Sequence, residues 1–162
     1  MKIATSRFGT MNIPDNKIIN IPEGILGFPN DRRFVILDHD ADDTPFKWLQ
    51  SADSASLAFI VIDPRLMVAG YQLEFDEQSV ALFGPIVPSE FIPMVIVNVP
   101  QSDPIKMTAN LKAPIVVSEE KRLGRQIILS SEEYSIVHRI FPDAPLGGEA
   151  EERNEGAAES MG

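Results

Sequence analysis

Apolar residues along this chain come in short bursts, separated by clusters of proline, glycine, asparagine, aspartate and serine. The bursts at 2–5, 17–21, 34–38, 57–62, 94–99, 114–118 and 126–129 are rich in β-branched and aromatic side chains, which predicts strands. Several, such as the LAFIVI run at 57–62, are apolar at nearly every position. A half-exposed strand would alternate, so these runs predict strands covered on both faces. The fold class expected is all-β and mainly antiparallel: a small, partly closed barrel-like domain with one or two short helices. Those helices are predicted at 76–83, with Asp76 as N-cap, and at 130–139, where Ser130 followed three residues later by Glu133 forms a capping-box signature. There is no internal repeat of solenoid or propeller length.

After residue 142 the pattern ends. The remaining segment, DAPLGGEAEERNEGAAESMG, has six acidic residues against Arg153, a balance of −5, and almost nothing to bury. Residues 1–142 therefore read as one folded domain and 143–162 as an acidic, disordered tail. The whole chain carries −10. That charge repels nucleic-acid phosphates and suits a basic protein partner. The N-terminal residues lack the apolar run of a secretory signal, and the apolar stretches at 57–62 and 94–99 are far shorter than the roughly 18 residues a membrane span needs, so a cytoplasmic protein without a membrane partner is expected.

The chemistry of enzymes is thinly represented. With no cysteine, disulfides, thiolate nucleophiles and cysteine-held metals are excluded by count. Two histidines, His39 and His138, stand far apart and outside any zinc motif. Acids at Asp38, Asp40 and Asp42 imitate the start of a calcium loop. However, Asp43 occupies the position of its turn glycine and Leu49 that of its bidentate glutamate, so no metal is expected. Neither GxSxG nor a phosphate-cradling glycine pattern is present. The pairs Glu119-Glu120 and Glu132-Glu133 sit beside predicted turns or helix starts, where hydration and capping account for them. Lys121 and Arg122 fall in EEKRLG, with Arg125 directly after it, a hairpin connection with no aromatic residue on which a base could stack.

Four blocks together resemble the FliW family of flagellar assembly factors. They are IPEGILGFP at 21–29; PFKWLQS at 45–51 leading into LAFIVIDP at 57–64; TANLKAPIVV at 108–117, the most specific; and GRQIIL at 124–129 ahead of Tyr134-Ser135 and His138-Arg139. The resemblance covers residues 1 to about 141 and implies a non-catalytic cytoplasmic regulator without cofactors. Such a protein binds CsrA, a small basic RNA-binding homodimer, away from the RNA surface, and so relieves repression of flagellin translation; flagellin competes for it. It is expected to be a monomer when free and not to bind nucleic acid directly. Acidic interface candidates by charge and loop position are Asp38, Asp40, Asp42, Asp43, Glu74, Asp76, Glu119 and Glu120, and apolar ones are Leu26, Phe28 and Phe91. The competing readings are a small barrel that binds a flavin or similar ligand, on fold analogy alone, and a general flagellar export chaperone.

Overall fold

A computed structural model describes residues 1–38 and 44–141. Its strands are β1 (Lys2–Thr5), β2 (Gly9–Asn12), β3 (Ile19–Asn20), β4 (Arg33–Asp38), β5 (Lys47–Ser51), β6 (Ala58–Ile62), β7 (Phe91–Asn98), β8 (Thr108–Ala109), β9 (Ile115–Ser118), β10 (Leu123–Gln126) and β11 (His138–Arg139), with one α-helix, α1 (Glu77–Phe83). Neighbouring strands run β7-β6-β5-β4-β3-β10-β9, and β9 pairs back onto β7, closing a seven-stranded barrel. All of these pairings are antiparallel except β3 with β10.

β7 performs the closure by changing partners along its length. Phe91 to Met94 pair with β9, and Val95 to Val97 pair with β6. Pro93, which has no N–H to offer a ladder, lies in the first half, before pairing with β6 begins. The second half also carries β8, to which β11 is added.

The continuous apolar runs now have their reason. Phe34, Leu49, Phe59, Val61, Met94, Ile115 and Val117 fill the barrel, while the intervening residues of β7, β9 and the chain after β10 build a second core outside it. That outer core holds Val95, Val97, Val116, Ile127 and Leu129 under Tyr71, Phe83 and Tyr134. On another flank the β1–β2 hairpin covers Val35 with Ile3 and Ile13.

Several sequence expectations are corrected. Residues 130–139 form turns and the short β11, not a helix: the Ser131 hydroxyl accepts the Glu133 N–H at 3.1 Å, and the Ser130 N–H is taken by Glu74. The 17–21 segment is a 3-10 turn at Asp15–Lys17 followed by the two-residue β3. The 126–129 strand begins three residues early as β10, although Ile127 and Leu129 continue its bonding to Pro114 and Lys112. β2, β5, β8 and β11 were not anticipated. Phe91, expected on a loop, opens β7 and is buried against Phe75 and Phe83. The 76–83 helix stands as expected: the Asp76 carboxylate accepts the Ser79 N–H at 2.8 Å. The proposed tail at 143–162 lies outside the described residues.

Candidate functional site

The barrel presents three surfaces that gather the candidate residues. At one end the IPEGILGFP segment forms a lid. Gly24, at φ +71°, bends the chain so sharply that a Cβ there would stand 2.5 Å from the Phe28 carbonyl oxygen. Ile25 and Phe28 then exchange N–H···O bonds of 3.3 and 2.6 Å around a two-residue turn made by Leu26 and Gly27. Ile25 plugs the barrel, and Phe28 meets Phe59 edge-on at 5.4 Å between centroids. Leu26 is left at the tip, 76% exposed, its N–H held at 2.8 Å by the Gln126 side-chain oxygen. Leu26 and Phe28 are thus brought together on the surface, and Phe91 is not with them.

Beside the lid lies an acidic flank built around a buried cation. Arg125 is only 6% exposed, yet it reaches Glu23 of the lid, Asp76 at 3.1 Å and Gln78 of α1 at 2.6 Å. Asp76 also receives the Ser79 hydroxyl at 2.7 Å. Ser79's hydrogen bonds and then the Arg125 guanidinium hold its carboxyl at about 2, against an ordinary 3.8, despite some desolvation. Glu74 accepts the Ser130 N–H at 3.2 Å and its hydroxyl at 2.9 Å. Glu74 and Asp76 are therefore neighbours, and Asp76 is largely committed to structure.

The third surface is the opposite mouth of the barrel, a cavity of about 570 Å³ with Ile19, Met94 and Val117 at its floor. Asp38 and Glu119 stand at its rim with Lys17, Lys47 and Arg122. Asp38 and Lys47 pair at 2.7 Å, and the lysine's hydrogen bond and charge hold the Asp38 carboxyl below its usual range. Glu119 and Glu120 occupy the exposed turn between β9 and β10. Asp40, Asp42 and Asp43 belong to residues outside the described set.

Sequence reasoning missed Glu23, Gln78 and Gln126, and treated Arg125 as part of a solvated turn. The usable signal was the alternation Arg125-Ile127-Leu129, which puts the arginine on the apolar side of its strand. Among the described residues no three His, Asp or Glu side chains converge as metal ligands, and no helix is long and apolar enough to cross a membrane. These surfaces offer apolar and charged contact area.

Comparison with known proteins agrees with this architecture. The family model described as FliW protein matches residues 2–140. The flagellar assembly factor FliW of Leptospira interrogans serovar copenhageni is 37% identical over 146 residues, covering 90% of this chain and 97% of that protein. The protein of the same description from Desulfitobacterium hafniense (strain DSM 10664 / DCB-2) is 39% identical over 156 residues, covering 92% and 100%. A solved structure, the crystal structure of the flagellar assembly factor FliW, superposes with a TM-score of 0.76 at 34% identity, covering 89% of this chain and 99% of that one. A match through the lid, the barrel and the outer core alike makes this chain a member of the FliW family of flagellar assembly factors.

Proposed function

We propose that the protein is a non-catalytic, cytoplasmic partner switch that is monomeric when free and binds either CsrA or flagellin, relieving CsrA repression of flagellin translation when flagellin is scarce. The observation that carries this reading is the continuity of the family match from residue 2 to 140, which includes every surface described above. The chemistry supports it in two ways. Exposed carboxylates at Glu74, Glu119 and Glu120, on a chain of net charge −10, steer a basic homodimer toward the barrel and raise its association rate. Leu26, held out on a rigid two-residue turn, is an apolar anchor of the kind that binds a filament subunit with little ordering cost. Relief of repression then requires that the protein bind RNA-free CsrA more tightly than RNA-bound CsrA.

The test is size-exclusion chromatography of the purified chain with CsrA and with monomeric flagellin, separately and together, at low and physiological salt. The expected result is a complex with each, displacement of CsrA by flagellin, and less co-elution with CsrA at physiological than at low salt. Absence of both complexes at micromolar concentrations would defeat the proposal.

A further inference from the structure

After β10 the chain stays bonded along one edge only. Ile127 N–H donates to the Pro114 carbonyl at 2.9 Å and Leu129 N–H to the Lys112 carbonyl at 2.8 Å. Successive amides of an extended chain point to opposite edges, so the N–H and C=O of Ile128 face away from that neighbour. Among the described residues neither group has a hydrogen-bond partner. The opening is bounded on one side by the Gln126 side chain, engaged with Leu26, and on the other by Glu74 on Ser130.

Strand edges in soluble proteins are commonly blunted by lysine, proline or a bulge. This one reads Gln126-Ile127-Ile128-Leu129-Ser130, with none of those residues, and its central side chain, Ile128, is 63% exposed. An unblunted edge with an apolar residue at its centre and a second, Leu26, at its end is suited to strand addition. The surroundings specify what can pair there. On the face shared with Ile128, an incoming residue meets apolar surface. On the other face Glu23 and Asp76, both exposed, hold the buried Arg125, and the exposed Glu74 stands at the Ser130 end, where Lys112 also reaches the Ser131 carbonyl at 2.9 Å.

We propose that residues 126–130 are a strand-addition site for an extended segment of another protein in which apolar residues alternate with basic ones. The site does not depend on which macromolecules the switch described above engages. In the antiparallel arrangement an apolar residue of the incoming strand lies opposite Ile128 and exchanges both main-chain bonds with it, while its basic neighbours face the carboxylates.

The test is a titration of the full ¹⁵N-labelled chain with a capped heptapeptide of alternating valine and lysine. Binding should shift the Ile128 amide and slow its hydrogen exchange. N-methylating the valine amides should weaken binding by roughly tenfold, the scale of the lost main-chain bonds, whereas N-methylating the lysine amides leaves it unchanged. Glutamate in place of lysine should also weaken it. Ile128→Pro removes the edge N–H while sparing every bond now made, so the fold should persist and binding should vanish. If proline disturbs the protection of Ile127 and Leu129, Ile128→Thr and the two methylated peptides still decide. Equal tolerance of both methylations, or an Ile128 amide unmoved by saturating peptide, overturns the proposal. So does concentration-dependent dimerisation that protects Ile128 without peptide, since the occupant would then be a second copy of this chain.

Discussion

The burial of Arg125 is asymmetric with that of its partners, and the asymmetry predicts which side of the ion cluster is costly to remove. Arg125 is 6% exposed, whereas the side chains of Glu23 and Asp76 keep 62% and 51% of their exposure. In Arg125→Met the two carboxylates turn to water, and methionine occupies the space of the arginine stem. The loss should be about 1 kcal/mol, the scale of a screened surface pair. In Glu23→Gln combined with Asp76→Asn, shape and acceptor atoms remain, but a guanidinium stays buried with no counter-charge. Removing one side of a fully buried pair costs about 3–5 kcal/mol; discounting for the solvent-exposed acid side leaves roughly 2–3 kcal/mol. The double neutralisation should therefore be the more damaging by about 1–2 kcal/mol, read from urea denaturation midpoints at pH 7 with unchanged m-values. Equal or reversed costs would refute the reasoning and show that the cluster is held by geometry, such as the hydrogen bond to Gln78, rather than by charge.

Other outcomes follow from the same physical terms. Gly24→Ala adds a Cβ at 2.5 Å from the Phe28 carbonyl oxygen and 2.7 Å from Pro29 Cα, and should cost more than about 3 kcal/mol in chemical denaturation. Gly27→Ala has an equally left-handed φ of +91° but open space around it, so about 1–2 kcal/mol is expected. Tyr71→Phe leaves the Leu111 carbonyl, which accepts the buried hydroxyl at 2.6 Å, without its donor and should lower stability by about 1–2 kcal/mol. Asp76, with its folded-state pKa depressed to about 2 from 3.8, contributes stability that is present above 3.8 and lost as pH falls toward 2. Asp76→Asn should flatten the stability profile across that acid window, as measured by denaturation at successive pH values.

The strand bursts were legible because covered strands need apolar residues on both faces, and the barrel with its outer core supplies both coverings for 57–62, 94–98 and 115–117. The helix after Asp76 was legible because capping is local chemistry. The strands that escaped notice are those whose reason is distant. β5 reads KWLQS, with Gln50 and Ser51 buried; the Gln50 side-chain Nε2 donates to the carbonyls of Ser51, Ala55 and Leu57, which no local pattern announces. β8 and β11 have two residues each and exist because each pairs with a neighbour brought from elsewhere. The false helix at 130–139 shows the same limit from the other side: Ser130 and Ser131 have capping chemistry, but Glu74 takes the first and a tight turn uses the second. The lid turned on Gly24 and Gly27, whose spacing suggested turns, but the commitment of Glu23 and Asp76 to Arg125 depended on burial that no spacing reveals.

The seam between β3 and β10 has a consequence for how the molecule comes into being. Only Asn20 and Leu123 are in register there, and the reinforcing contacts, Arg122 to the Lys17 carbonyl and Arg125 to Glu23, join positions 105 and 102 residues apart. Ring closure must therefore wait until most of the polypeptide has left the ribosome, and a chain dominated by such distant pairings pays its loop-closure entropy before the contacts reward it. Until then, the unmatched margins of β3 and β9 are open to mispairing between nascent chains. The last strand to arrive in the ring thus does more than complete a surface: it ends the interval in which the newborn protein is most prone to aggregate.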